Sequence, residues 1–264
     1  MEEIRLDLFI KEKYNFSREY SKEIILKGYV KIDGKVILKP SFKVFKNSNL
    51  ELLENAIPKY VSRGGFKLEK ALEYFKIDLT DKICLDIGAS TGGFSDCMLK
   101  NGAKKIYAVD VGTNQLDKSL LNNEKIISME NTDIRKIDKF KEKVDFISVD
   151  VSFISLKKIT GNFHNFLKEK GQIIALIKPQ FEAGKENIDK NGIVKNKKIH
   201  KKVLGDLYTF FNEINLKCNG ITFSPIKGSK GNIEYLINLT YTENKKNINL
   251  DISKIIEEAF EKLK

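Results

Sequence analysis

Residues 82–93 read KICLDIGASTGG, and the chain soon continues into KKIYAVD, which ends at Asp110. Ile83, Cys84, Leu85 and Ile87 form a short apolar run, which predicts a strand buried on both faces. Gly88, Gly92 and Gly93 stop that strand, and residues 94–100 predict a helix. A strand, a glycine turn and a helix make the first βα unit of a doubly wound sheet. Glycine there lets the backbone approach a ligand with no Cβ in the way. The second strand, 106–109, ends in Asp110, where a carboxylate can accept both hydroxyls of a ribose diol.

The glycine spacing selects the ligand. Dinucleotide sites use G-x-G-x-x-G, which seats a pyrophosphate on the helix N-terminus. Here the spacing is G-x-x-x-G-G, with Asp86 two residues before the first glycine. An acid at that place suits a cationic, phosphate-free ligand with an amino-acid tail, a description that fits S-adenosylmethionine better than a dinucleotide. A glycine turn that binds nothing is the alternative, and Asp86 and Asp110 at successive strand ends weigh against it.

Downstream, strands are expected at 125–129, 144–149 and 171–177. Asn131-Thr132-Asp133 follows the first of these as a turn where the adenine would lie. Asp150 ends the second and Lys178-Pro179 the third. The alternation predicts a largely parallel sheet with right-handed crossovers. Ligands bind at the carboxyl ends of such strands, the edge where Asp86, Asp110, Asp150 and Lys178 fall. The lysine-rich stretch 179–202 reads either as a mobile basic loop suited to a phosphate backbone or as a merely disordered surface loop. A helix at 201–216 follows. Strands at 218–224 and 233–239 then form a hairpin around the basic turn 225–232, with Glu234 starting the last strand. Ile255, Ile256, Ala259, Phe260 and Leu263 give a closing helix its apolar stripe.

Upstream, residues 1–59 have a different texture. Residues 4–13 predict a short amphipathic helix with Leu6, Phe9 and Ile10 inward. Ser17 is placed to cap a second helix, with Tyr20, Ile24 and Ile25 on one face. Gly28 ends that helix, and 29–32 and 36–38 flank Asp33-Gly34 as a hairpin. Residues 60–64 read as a linker. A helix then starts near Ser62 with Leu68, Ala71, Leu72 and Phe75 inward; Lys67, off that stripe, reads by itself as a solvated charge.

Composition sets limits. A chain of 264 residues holds one α/β domain and a small module. With 47 Lys and Arg against 36 Asp and Glu, the formal charge of +11 favours a polyanionic partner, unless it only reflects a lysine-rich composition. Cys84, Cys97 and Cys218 are too scattered for a zinc site, so no metal is expected, and three unpatterned thiols suit a reducing compartment. No run approaches the length of a spanning helix and charges interrupt the N-terminus, so a cytoplasmic protein without stable membrane insertion is expected.

RLDLFI at 5–10 and SREYSKEIILKGYVKIDGKVILKP at 17–40 resemble the S4 RNA-binding module, with Asp33 where that pattern usually has Asn. Together with YVSRGG, DIGASTGGF, DVSFISL, LIKPQFE and GNIEYL, the whole chain resembles the TlyA (haemolysin A) family. The catalytic domain of that family is similar to FtsJ-type ribose 2′-O-methyltransferases. The resemblance implies an S4-like domain at 1–59 and a Rossmann-like methyltransferase at 65–264 with a mostly parallel seven-stranded sheet. It implies a catalytic tetrad of Lys67, Asp150, Lys178 and Glu234. The S-adenosylmethionine pocket it implies comprises Asp86, Gly88, Ser90, Gly92, Gly93, Asp110, Asp133 and Asp150. RNA contacts fall to Arg5, Arg18, Lys22 and Lys27, and the partner is rRNA in the ribosomal subunits.

The chemistry agrees with that assignment. A ribose hydroxyl must lose a proton as it attacks a sulfonium methyl, and a lysine serves as base only where its neutral form is within reach. A base-methylating enzyme would carry an N/D-P-P-Y loop or a catalytic cysteine, and neither is evident. The rival readings are a non-catalytic RNA-binding module and a membrane-lytic protein. The first has no need of two lysines and two acids, and the second has only one short amphipathic helix to work with.

Overall fold

A computed structural model describes residues 2–14, 16–242, 248 and 250–263. The chain divides into two compact units, Met1–Lys59 and Tyr60–Lys264.

In the first unit β1 (Glu3–Arg5) leads directly into α1 (Leu6–Tyr14), so the expected helix begins two residues late, after a short strand. The strand forms because residues 3–5 pair antiparallel with β4 (Lys43–Phe45). Helix α2 (Arg18–Leu26) is capped by Ser17, whose hydroxyl accepts the Tyr20 N–H. Gly28 follows with φ of 75°, a left-handed turn that glycine adopts freely. The hairpin of β2 (Val30–Ile32) and β3 (Lys35–Val36) turns at Asp33-Gly34, and β5 (Leu50–Leu52) pairs on its other side. Leu6, Ile10, Ile24, Ile25 and Val30 make the core of this unit.

The second unit is built on a seven-stranded sheet. Its elements are α3 (Gly64–Phe75), β6 (Ile83–Ile87), α4 (Gly93–Lys100), β7 (Lys105–Val109), α5 (Lys118–Leu121), β8 (Ile126–Met129) and β9 (Val144–Val149), continuing through α6 (Phe163–Phe166), β10 (Leu167–Ile177), α7 (Pro179–Glu182), α8 (Lys197–Glu213), β11 (Leu216–Phe223), β12 (Tyr235–Tyr241) and α9 (Ile252–Lys262). The strand order is β11-β12-β10-β9-β6-β7-β8, and β12 alone runs against its neighbours. Both faces are covered, as the apolar run at β6 requires. Leu85 and Ile87 join the cluster that includes α8 and α9, while Cys84 packs on the other side with α3 and α4. Progression along the sheet reverses between β6 and β9. The crevice outside their carboxyl ends is where a ligand fits in such a sheet.

The structure revises two local expectations. Residues 60–64, read as a linker, belong to the second unit: Tyr60 is buried, its hydroxyl donates to Glu69 at 2.9 Å, and the Val61 N–H donates to Asp96 at 2.8 Å. The stretch 179–202 is folded rather than a free basic loop. Asp189 accepts the N–H groups of Asn191 and Ile193 and pairs with Lys195 at 2.9 Å. Asn196 then caps α8, which begins four residues earlier than its apolar pattern suggested.

Candidate active site

At the crevice lies a cavity of about 350 Å³, lined by the start of α3, the β6–α4 turn, the ends of β9 and β10, and the turn before β12. Gly88 shapes its floor. This residue has φ of 82°, and a Cβ there would stand 2.5 Å from the Asp150 carbonyl oxygen. Any other residue would be strained and would push β6 and β9 apart.

Four charged side chains from four elements converge here as two ion pairs. Lys67 Nζ, on α3, donates to Glu234 Oε2 at 2.7 Å, and both residues are buried. Lys67 is therefore no solvated charge. It lies four residues before Ala71, so it extends the buried stripe of α3 by one turn toward the start of β12. Gly228 packs so tightly on the Glu234 carboxylate that a Cβ could not be accommodated there. In the second pair, Lys178 Nζ lies 2.6 Å from Asp150 Oδ1. That charge contact is off the hydrogen-bonding axis: the ammonium directs its hydrogen bond to Ser152 Oγ at 2.9 Å, and the buried Asp150 Oδ1 accepts none.

The remaining expected ligand residues fall into three places. Gly88, Ser90, Gly93 and Asp150 line the cavity; Gly92, with φ of 91°, supplies the turn behind it. Asp110, at the end of β7, accepts the Ser90 N–H at 2.8 Å and the Gly112 N–H at 2.7 Å. A carboxylate has about four acceptor positions, so roughly two remain for a diol. Asp86 and Asp133 do not line the cavity. Asp133 caps a short turn and binds Arg135, whose hydrogen bonds pull its carboxyl down to about 2. Asp86 is fully buried beneath the turn, accepting Ser95 Oγ at 2.7 Å and Ser148 Oγ at 2.9 Å, and so ties β6 to α4 and β9.

Sequence reasoning missed several lining residues: Ser62, Arg63, Ser152 and Lys227. It also missed Glu130, which closes β8 with an acid just as Asp110 closes β7. Glu130 accepts the N–H groups of Asn114, Gln115 and Leu116 and organises the loop after Asp110. The repeated strand-then-acid pattern was a signal for it. Phe153 is also notable: it is 91% exposed, holds a left-handed φ of 63°, and its ring centroid lies 5.0 Å from that of Phe181.

The family described as FtsJ-like methyltransferase matches residues 60–241, and the S4 domain matches residues 4–47. The chain belongs to the TlyA branch of the FtsJ-like methyltransferase family. It is similar to Hemolysin A of Brachyspira hyodysenteriae, 44% identical over 88% of this chain and 98% of that one. It is also similar to the 23S rRNA (cytidine-2′-O)-methyltransferase TlyA of Campylobacter jejuni, 42% identical over 88% of this chain and 97% of the other. The solved structure described as "Putative hemolysin from Streptococcus thermophilus" superposes with a TM-score of 0.78 at 41% identity, covering 99% of this chain and 97% of that chain.

As an FtsJ-like methyltransferase the chain uses S-adenosylmethionine, and its crevice fits that donor. The glycine turn admits close approach of a ligand, Asp110 keeps acceptor capacity at the rim, and Asp150 places a carboxylate in the cavity wall. No group of acidic, histidine or cysteine side chains suited to a metal occurs among the described residues.

Burial pushes the Asp86 carboxyl up to about 6, against the hydrogen bonds from Ser95 and Ser148. Its folded value lies above the unfolded one, so its contribution to stability is fully present below about pH 4 and is lost as pH rises through about 6. Asp86→Asn removes the titration. The stability difference between the original protein and the variant should therefore shrink or reverse by up to about 3 kcal/mol between pH 4 and pH 7.5. Denaturant unfolding at the two pH values measures it, and a difference that does not change with pH would refute the assignment.

Proposed function

We propose that this protein methylates the 2′-hydroxyl of a cytidine ribose in small- or large-subunit rRNA, in the cytoplasm. The carrying observation is that Lys67, held from behind by the buried Glu234, and the Lys178–Asp150 pair line one cavity beside the glycine turn. The similarity to the Campylobacter enzyme supports ribose as the acceptor and cytidine as the nucleotide.

Bound S-adenosylmethionine supplies an electrophilic methyl group on a positively charged sulfur. Gly88, Ser90, Gly92 and Gly93 shape its cradle, Asp110 holds its ribose, Asp150 faces its charge, and Asp133 borders its adenine. Asp86 supports the turn from below rather than touching the donor. Lys178, directed by Ser152 and Asp150, gives one ammonium proton to solvent and as the neutral amine takes the proton of the attacking hydroxyl. Lys67, fixed by Glu234, holds the acceptor nucleotide in line. Most of the remaining acceleration comes from aligning oxygen, methyl and sulfur.

The S4-like unit at 1–59 grips structured RNA through the basic face of α2. Arg5 and Arg18 converge on the buried Asp7, at 3.0 and 3.3 Å, and Arg5 holds its carboxyl below the usual range. That arrangement sets the direction of both guanidiniums while leaving them partly exposed for phosphate. Lys27 pairs with Glu23 on the surface, and Lys22 lies half-buried on the same helix. No helix among the described residues is long and apolar enough to cross a membrane.

Incubation with labelled methyl donor and each unmodified ribosomal subunit, followed by mass mapping, should place the label on a cytidine ribose. Label on a base, or none on either subunit, would overturn the proposal.

A further inference from the structure

The charges in the cavity wall do not cancel. Lys67 is matched by Glu234 and Lys178 by Asp150. Two further cations line the same wall, Arg63 at the start of α3 and Lys227 in the turn before β12. Neither side chain makes an ion pair or hydrogen bond with any described residue. Their backbones are nonetheless fixed. The Arg63 carbonyl accepts the Phe66 N–H, and next to Lys227 the Gly228 N–H donates to the Asn232 carbonyl at 2.8 Å. Ser224 Oγ donates to the Ile226 carbonyl at 2.7 Å from the other side of the turn.

The methyl donor does not explain this surplus. It carries one carboxylate against an ammonium and a sulfonium, a net positive charge, so two unmatched positive charges in the same cavity wall oppose its binding. The surplus fits an anion that arrives with the acceptor. Arg63 is exposed and Lys227 half-buried, so both stand where a chain approaching from solvent reaches them. A guanidinium and an ammonium are also the two groups best suited to phosphate oxygens.

We infer that Arg63 and Lys227 form an anion subsite at the mouth of the active cavity, and that its occupant is a phosphodiester of the RNA beside the reacting ribose. The inference rests on the proposed RNA substrate and adds to it a coupling between ligands. A phosphate in the subsite offsets the charge that opposes the donor, so RNA and S-adenosylmethionine favour each other's binding. The neutral demethylated product lacks that sensitivity.

The test uses the full chain with Arg63→Gln, Lys227→Gln and the double variant, and two binding measurements. In the first, affinity for purified unmodified ribosomal subunits is followed from 50 to 200 mM salt. Each single substitution should lower the slope of log affinity against log salt by about 0.7–0.9, and the double variant by about twice that. In the second, calorimetry without RNA compares S-adenosylmethionine with S-adenosylhomocysteine. The double variant should bind the sulfonium donor about two- to fivefold more tightly, with the thioether product unchanged, because a repulsive charge has gone. An unchanged salt slope in the double variant would overturn the subsite. Weaker donor binding would overturn it too, since the two residues would then belong to the donor pocket. Neither measurement requires turnover, so a failure to find methyl transfer would sink the proposed reaction and leave these results standing.

Discussion

Lys178→Ala should reduce methyl transfer by about 10²–10⁴-fold, the range for loss of a general base, while donor affinity stays close to that of the original protein. The proton is taken only as the bond to the methyl forms, so the residue acts in the transition state rather than in binding. Lys178→Arg should fail as well. A guanidinium preserves the charge beside Asp150, but it stays protonated at any working pH and its planar fork does not replace an ammonium directed at Ser152. The decisive measurement is single-turnover transfer with all three proteins, with calorimetry and a melting curve as controls for donor binding and folding. Substantial activity in the arginine variant would show that positive charge alone suffices, and Lys178 would lose its role as base.

The second large effect is on stability. Glu234→Ala strips the partner from a Lys67 ammonium that is 9% exposed, in a position where water cannot fully replace the carboxylate. Removing one member of a buried pair costs about 3–5 kcal/mol, whereas replacing both by apolar groups of similar volume is close to neutral. Glu234→Ala should therefore lower the unfolding free energy by that amount, and adding Lys67→Met should recover most of it. Both proteins should be inactive, which separates the structural from the chemical contribution of the pair. Denaturant unfolding of the two single variants and the double variant closes the cycle. A loss below about 1 kcal/mol in Glu234→Ala would mean that Lys67 reaches solvent, and the buried-pair description would fail.

Much of the fold is written in local pattern. The apolar run 83–87 is stopped by Gly88 and buried on both sides, so it could only be an inner strand of a covered sheet. Acids after successive strands mark the ligand edge, and Glu130, which closes β8, obeys the same rule. Helix α3 shows the limit of pattern reading. Lys67 stands off the stripe marked by Leu68, Ala71, Leu72 and Phe75, so it reads as surface until its partner is known.

The sequence by itself determined the strand–glycine–helix unit, the order of strands and helices in the larger unit and the small basic module, and family likeness led to the expectation of a Lys67, Asp150, Lys178 and Glu234 tetrad. All but the tetrad follow from short-range regularities: the periods of helix and strand, the conformational freedom of glycine, and charge. Only the tertiary structure decided what each charge does. Lys67 and Glu234 lie 167 residues apart in sequence and meet at 2.7 Å because the reversed β12 brings the residue just before it beside the start of α3. It put Asp86 under the turn instead of in the pocket, because a side chain on that face of β6 points at α4. It also left Arg63 and Lys227 unmatched in the same wall. Charge balance within a cavity depends on which side chains share its surface, and that is a property of the folded chain, not of spacing along it.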